Sequence, residues 1–377
     1  MFQAPIKVVQ TLRLDVPAGV FTATAVSTVV FSATPFLIPA IAADRGVTIG
    51  LVGMISTTQL GGFVLATTFG PRRFRPRRTI MTAAIVMGIV ANLLSAVSPW
   101  FALLVAARFV SGLSLGLIAW IAWAEVFGDE QRIGDVAVIG PIIGTVASPL
   151  IALTLDRQGP DRLFVAMAAL YLVPALFTRR MRLRATDRPE RRRHRPTRGA
   201  TAVLVGLSLL TLGGSAAFLF VGAIGAELVG LSPLAVSLAF SANAIAGLPS
   251  ARYRGRRSAP GAWMAVTGTA AVTVCTVHVG IVFWAAMIAW GFAFWMAVPG
   301  AFALLASRSR FPDERAGDAQ AVMATGRVVG PLVGGALYEI GPAVLGWVAG
   351  VTMVLAGLVL LASERLTLPI TDDERAI

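Results

Sequence analysis

The sequence has little of the side-chain chemistry on which enzymes and metal sites depend. It contains one cysteine, two histidines and a single lysine, Lys7. The lone Cys275 excludes a disulfide within the chain and a thiolate metal cluster. A G-x-x-x-x-G-K-[ST] phosphate loop and a nucleophile elbow are both missing from the sequence. We therefore expect no enzyme activity, no bound metal and no cofactor.

Charge is also scarce. Charged residues make up 14% of the chain, against about a quarter in soluble domains. Apolar residues make up 56%, and the mean hydropathy is +0.78. Residues 1–17 lack the compact apolar core and cleavage site of a signal peptide, so we expect them to be a cytosolic lead-in. This composition excludes an ordinary soluble domain and indicates a membrane protein.

One long polar interval divides the chain. Residues 179–199 contain ten arginines and two prolines, and they hold no apolar run that could cross a bilayer. This interval predicts three parts: an N-terminal half, 1–178, a cytoplasmic basic linker, 179–199, and a C-terminal half, 200–377.

Twelve apolar runs of roughly bilayer-spanning length flank the linker, six on each side. We number them spans 1 to 12, at residues 20–42, 48–69, 79–97, 101–123, 136–155 and 163–177 in the first half, and 200–222, 233–248, 263–277, 281–305, 319–338 and 343–361 in the second. They predict an all-α membrane protein with twelve transmembrane helices.

The positions of the basic residues predict the orientation, because arginines in short loops are retained on the cytoplasmic side. With both termini inside, 27 of the 32 basic residues lie in inner segments, and only Arg45, Arg157 and Arg162 lie in outer loops. Arg108 and Arg327 lie within spans. We expect a monomer in an inner or plasma membrane, with its basic segments touching anionic lipid and not nucleic acid.

Two motifs recur once per half. The pattern R-[FY]-R-[PG]-R-R occurs at 73–78, after span 2, and at 252–257, after span 8. The pattern G-P-x-x-G occurs at 140–144 in span 5 and at 330–334 in span 11. Two halves of like orientation predict parallel repeats, which can open alternately to either side of the membrane.

With these features the sequence resembles the major facilitator superfamily over its whole length. Residues 70–78 are similar to the family's loop signature G-x-x-x-D-R-x-G-R-R and end in Arg77 and Arg78. Arg73 takes the place of the aspartate, which in the family helps to latch the two halves on the cytoplasmic side. The resemblance implies a major facilitator fold with a weakened or differently built latch.

Arg108 begins the stretch R-F-V-S-G-L-S-L-G at 108–116, which resembles the family's fourth-helix pattern R-x-x-x-G-x-x-x-G. An arginine within a span is costly and normally faces protein or a water-filled cavity, so it marks a candidate functional site. The alternative is a structural clamp held by neighbouring helices, and we favour the functional reading.

The stretch Gly140-Pro141-x-x-Gly144 is similar to the motif of antiporters in this superfamily, which favours export. Gly330, Pro331 and Gly334 form the second copy, and a motif present in both halves also fits simple helix packing. Importing a small metabolite, facilitating its passage, or sensing without transport on the same fold remain alternatives.

Proton coupling is implied by the resemblance, because many relatives are proton-coupled, but span 1 has no acidic residue to carry the proton. Glu125 is the best candidate because the residues before it are apolar. Asp135, Glu227, Glu339 and His278 are the other candidates, and all lie near span ends.

The resemblance places the substrate cavity between spans 1, 4, 7 and 10, which are rich in aromatic residues. Trp290 and Trp295 are five positions apart on span 10, so we expect only one to face the cavity. The candidate substrate or coupling residues are Phe31, Gln59, Arg108, Trp120, Glu125, Phe218, Asn243, Trp290, Trp295 and Arg327. A weakly polar, aromatic chamber predicts an apolar or amphipathic organic substrate.

Overall fold

A computed structural model describes residues 18–75, 77–126, 130–178, 194–251, 253 and 258–366 of the chain. Within these ranges the ordered elements are helices, joined by short turns. The side chains of residues 123–138 lie outside the description.

The helices follow the spans that hydropathy predicts. In the first half they are Ala18–Ser32 and Thr34–Arg45 (span 1), Ile49–Arg73 (span 2), Arg78–Ala96 (span 3), Phe101–Val126 (span 4), and Glu130–Leu170 with Leu172–Phe177 (spans 5 and 6). In the second half they are Arg198–Phe218 and Val221–Glu227 (span 7), Pro233–Ala251 (span 8), Pro260–Thr276 (span 9), Gly280–Ser307 (span 10), Pro312–Ile340 (span 11) and Pro342–Leu366 (span 12).

Length and hydropathy alone give nine membrane-crossing helices in the described part of the chain, or ten if the bent pair in span 1 counts as one crossing. The difference between ten and twelve has two causes. The stretch 139–177 holds two spans, because Gly159 turns the chain with a φ of +77°. Span 9 forms a helix of 17 residues, which is shorter than the roughly 20 of a typical crossing. The described residues therefore form twelve spans in two halves, as predicted.

The first span of each half is broken at a matching place. Span 1 bends by 44° between Ser32 and Thr34, where Pro35 has no N–H to continue the helix ladder. Span 7 breaks between Phe218 and Val221. The two outer segments meet: the absence of a side chain at Gly222 lets the carbonyl oxygen of Pro35 come into close contact.

The halves contact each other from the middle of the spans to one end, which we call the outer end because the arginine distribution predicts that it faces away from the cytoplasm. Span 2 packs on span 11, and span 8 packs on span 5. The ring centroids of Phe36 and Phe240 are 4.9 Å apart, and Ser241 Oγ donates to Thr145 O at 2.7 Å. The Gly50 N–H donates to Glu339 Oε1 at 2.6 Å. These contacts close the outer end.

At the opposite, inner end, the last residues of the linker are attached to the start of span 11. The imidazole of His194 stacks on Phe311 with a centroid distance of 3.9 Å, and its Nδ1 lies 2.9 Å from Glu314 Oε1. The His194 N–H donates to Glu314 Oε2, and Arg315 Nη2 donates to the His194 carbonyl oxygen. Glu314 is therefore the centre of this attachment.

We expect the attachment to persist as pH falls from 8 to 5. Hydrogen bonds from the side chain and backbone of His194 lower the pKa of Glu314 from 4.5 to about 2. Its contribution to stability is thus complete above about 4.5 and is lost only as pH falls towards about 2. Hydrogen exchange of residues 194–198, corrected for intrinsic rates, should be equally slow at both pH values. Glu314→Gln should accelerate it, and Glu364→Gln, at the inner end of span 12, should not. Faster exchange of these residues at pH 5 than at pH 8 in the parent protein would contradict this prediction.

Candidate functional site

A cavity of about 340 Å³ lies between the two halves, near the middle of the spans. Its walls come from spans 1 and 2 of the first half and from spans 7, 8, 10 and 11 of the second. The lining residues are Phe31, Thr34, Ser56, Gln59, Leu60, Leu210, Thr211, Gly214, Ser215, Phe218, Leu219, Asn243, Trp290, Gly291, Phe294, Trp295 and Arg327. The structure thus brings seven of the ten candidate residues together in one place.

Aromatic rings form one wall of the cavity. Phe218 and Trp290 meet edge to face with centroids 5.3 Å apart, and Phe294 and Trp295 do so at 6.1 Å. Positions 290, 291, 294 and 295 of span 10 make one continuous helix face, since residues four apart are neighbours. Both tryptophans therefore line the cavity, whereas their spacing alone suggested that only one would.

Two amides face the cavity from equivalent places in the two halves. Span 4 touches span 2 where Gly112 meets the backbone of Gln59, and span 10 touches span 8 where Gly291 meets the backbone of Asn243. Asn243 Nδ2 donates to Met287 O at 2.8 Å. Gln59 Nε2 is buried and has no hydrogen-bond partner among the described protein atoms. Close approach at a glycine in each half therefore sets the positions of both amides.

Arg327 is the only charged residue among those that line the cavity in the described structure. It is partly buried, and no hydrogen bond or ion pair joins it to another described residue. The preceding Gly326 lies against Thr211 of span 7. Because span 11 lies so close to span 7, Arg327 is held at the cavity wall.

Arg108 lies elsewhere. It is 1% exposed and packs among spans 3, 4 and 6. Its Nη1 donates to Asn92 Oδ1 at 3.0 Å, its Nη2 donates to Ser111 Oγ at 3.2 Å, and its guanidinium carbon lies 5.3 Å from the centroid of the Phe164 ring. These contacts join three helices of the first half, in the manner of a clamp.

The remaining candidates also lie away from the cavity or outside the described residues. Trp120 sits near the inner end of span 4, beside Gly70. The side chain of Glu125 is outside the described residues, as is most of the second basic motif at 252–257. The first basic motif is described, and Arg73, Arg77 and Arg78 are exposed at the inner end.

The two copies of the glycine-proline motif have different surroundings. In span 11 a Cβ at Gly330 would lie 2.8 Å from Leu212 O, and one at Gly334 would overlap Ala216 O. In span 5, among the described residues, a Cβ at Gly140 would meet nothing within 4 Å, and one at Gly144 would reach only Ser32 Oγ at 3.9 Å. Pro331 and its glycines thus belong to a tight helix contact, whereas the glycines beside Pro141 have no close neighbour among the described residues.

Sequence reasoning missed several small polar lining residues, namely Thr34, Ser56, Thr211 and Ser215. Ser56 precedes Gln59 by one helical turn, so the two share a face of span 2. That spacing was a usable signal, but serine and threonine within apolar helices normally bond to their own backbone and seldom mark a site.

Similarity in sequence family and in fold places the chain among known proteins. Residues 20–328 match the model of the Major Facilitator Superfamily. No curated protein sequence matches the chain. Its fold is similar to the crystal structure of the human organic anion transporter MFSD10 (TETRAN), with a TM-score of 0.64 and 16% identity, covering 92% of this chain and 98% of that one. The chain therefore belongs to the Major Facilitator Superfamily and is a multi-pass membrane transporter rather than an enzyme.

Proposed function

We propose that this transporter exports a small apolar or amphipathic organic compound from the cytoplasm by alternating access, in exchange for protons. The observation that carries the proposal is the cavity, whose walls come from both halves of the molecule. A site shared in this way is opened to one side or the other when the halves rock. Its aromatic wall suits an organic solute better than a sugar or a metal ion.

The contacts between the halves support alternating access. They gather towards the outer end, where Glu339 accepts from the Gly50 N–H and where Gly222 meets Pro35. Separation of these contacts would open the cavity to the outside. The helix pairs within each half do not need to change for this to happen.

Export is supported by the first glycine-proline motif. Glycines that merely allow close packing are expected to have near neighbours, as Gly330 and Gly334 have. Among the described residues Gly140 has none within 4 Å, and Gly144 has only Ser32 Oγ at 3.9 Å. Free space beside Pro141 permits span 5 to bend during the transport cycle. This is the behaviour that the resemblance to antiporters implies for the motif.

Proton exchange rests on the resemblance to proton-coupled members. Two described carboxylates at the outer end are available to take part: Glu339, bonded to Gly50, and Glu227, which accepts from the Tyr338 hydroxyl at 2.5 Å. Protonation of Glu339 would weaken its bond to the first half, because bonds to a charged acceptor are the stronger ones. Glu125 remains a candidate at the inner end.

Transport in liposomes tests the proposed function. Purified protein is reconstituted with a pH-sensitive dye inside, a proton gradient is imposed, and lipophilic cations, neutral aromatics, aromatic acids and sugars are added in turn. If the compound and the protons cross the bilayer in opposite directions, the result supports exchange. If they cross in the same direction, it supports import. Passage without proton movement supports a facilitator. Binding without any passage would overturn the proposal in favour of a sensor.

We expect Arg108→Ala to reduce stability without altering apparent substrate affinity. The variant leaves Asn92 Oδ1 without its donor in a buried position, which costs about 1–3 kcal/mol. The cavity lining is untouched. Thermal unfolding in detergent should show a lower melting temperature, while the transport KM of the folded protein should equal that of the parent. A raised KM at unchanged stability would return Arg108 to the transport pathway.

A further inference from the structure

The described lining of the cavity carries a positive charge without a matching negative one. Arg327 has no acidic partner among the described residues, and none of the described lining residues is acidic. A guanidinium in a low-dielectric site is strongly favoured by a counter-anion. Since the described part of the chain supplies none, the natural partner is a ligand.

Two further polar groups at the cavity wall also lack a partner. Ser56 Oγ and Gln59 Nε2 have none among the described protein atoms, and both side chains are only 2% exposed. Buried donors normally have a partner, and rotation of either side chain towards the cavity would let a ligand supply the acceptor. Together with Arg327 they offer at least three donor groups.

The donors and the aromatic rings come from different helices. Ser56 and Gln59 belong to span 2 and Arg327 to span 11, and these two spans pack on each other across the contact between the halves. The rings of Phe218, Trp290 and Trp295 belong to spans 7 and 10. The cavity therefore combines a polar wall at the interface with an aromatic wall in the second half.

We propose, building on the transport function above, that the substrate is an amphipathic aromatic anion, such as a one- or two-ring carboxylate. Its charged oxygens lie at Arg327, with Gln59 and Ser56 donating to them, and its ring lies against Trp290 and Trp295. A planar guanidinium matches a carboxylate with two parallel hydrogen bonds, whereas a cationic ligand would face a like charge. The volume of about 340 Å³ suits a small ligand, at the lower end of the range of about 300–1,000 Å³ for ligand pockets.

Binding of three matched probes to the purified full chain in detergent tests this assignment separately from transport. The probes are 2-naphthoate, the neutral 2-naphthamide and the cationic 2-naphthyltrimethylammonium, followed at pH 7.5 by quenching of tryptophan fluorescence and by isothermal titration. We expect naphthoate to bind at least tenfold more tightly than the amide, and the cation to bind most weakly. Equal affinity for naphthoate and the amide in the parent protein would overturn the assignment.

Variants then assign the preference to its residues. Arg327→Gln should remove the preference for naphthoate over the amide, Arg327→Lys should keep part of it, and Gln59→Leu should reduce it. Arg365→Gln, at the exposed inner end of span 12, removes the same charge away from the cavity and should have no effect. If folded Arg327→Gln still preferred naphthoate over the amide, the assignment would be overturned. If Arg327→Gln fails to fold, the Lys and Leu variants and the parent ratio still decide it.

The two proposals can fail separately. If liposomes transport neutral or cationic aromatics and the anion preference is absent, the transport function stands and the anion assignment falls. If naphthoate binds through Arg327 but no compound crosses the bilayer, the binding site stands and the transport function falls.

Discussion

Replacement of Gly335 by valine is expected to abolish transport while leaving each half folded. Gly335 belongs to span 11 and meets Gly50 of span 2 across the outer contact between the halves. A Cβ at Gly335 would lie 2.5 Å from Gly50 O, and one at Gly50 would lie 2.5 Å from Gly335 O. A valine at Gly335 therefore keeps the halves apart at the outer end. A transporter that cannot close this end cannot complete its cycle.

Distance measurement across the outer end checks this result. Cys275 is buried, so cysteines introduced at Val97 and Ile281 can be labelled selectively. These positions are 73% and 79% exposed and lie at the outer end of different halves. In Gly335→Val the label separation should increase, and transport in liposomes should stop. Gly317→Val, in the same helix and with no other described atom within 4 Å of its Cβ position, should alter neither. Unchanged distance with full transport would show that the outer contact is not a gate.

The fold was predictable because the bilayer restricts the chain to a single kind of element. Each span needs about 20 apolar residues, so hydropathy sets the number of helices and their approximate ends. Local backbone chemistry refines this picture. The positive φ at Gly159 separates spans 5 and 6, and Pro35 follows the break in span 1. The division of the chain at residues 178 and 199 stays a prediction, because residues 179–193 lie outside the described structure.

The site was predictable only in part, because lipid and protein neighbours are equally apolar. A span that is apolar all round gives no signal for which face it turns inward. Arg108 shows the difficulty: its sequence setting pointed to the pathway, whereas the structure places it between helices of the first half. Arg327 was identifiable because exposure of a charge to lipid is costly. Trp290 was identifiable because it is one of few large aromatic residues deep within a span.

The internal repeat extends deeper than the sequence motifs indicated. Gly112 on Gln59 and Gly291 on Asn243 are the same contact in the two halves, formed by spans 4 and 2 and by spans 10 and 8. Neither pair stands out in the sequence, because the amides lie at different distances before the shared basic motif: Gln59 is 14 residues before Arg73, and Asn243 is nine before Arg252. The shared geometry nevertheless places one amide from each half at the cavity. Helix contacts within each half thus determine the shape of the site between the halves.

Gly112→Ala and Gly291→Ala are accordingly expected to disrupt both folding and binding. A Cβ at either glycine would overlap a backbone carbonyl oxygen of the neighbouring helix, and backbone atoms cannot move aside as a side chain can. Overpacking of this kind costs about 1–3 kcal/mol or more. Separation of the two helices would relieve the overlap, but it would also move Gln59 or Asn243 away from its position at the cavity.

Gly61→Ala is a control for which we expect no loss of stability. Gly61 lies in span 2, only two residues from Gln59, yet a Cβ there would meet no described atom within 4 Å. Alanine is favoured over glycine within a helix by about 1 kcal/mol, so this variant should be as stable as the parent or more so. Thermal unfolding in detergent should therefore show melting temperatures several degrees lower for Gly112→Ala and Gly291→Ala only, with weakened naphthoate binding in the fraction that folds. If all three variants melted with the parent, the close approaches at Gly112 and Gly291 would have no part in holding the two amides at the cavity.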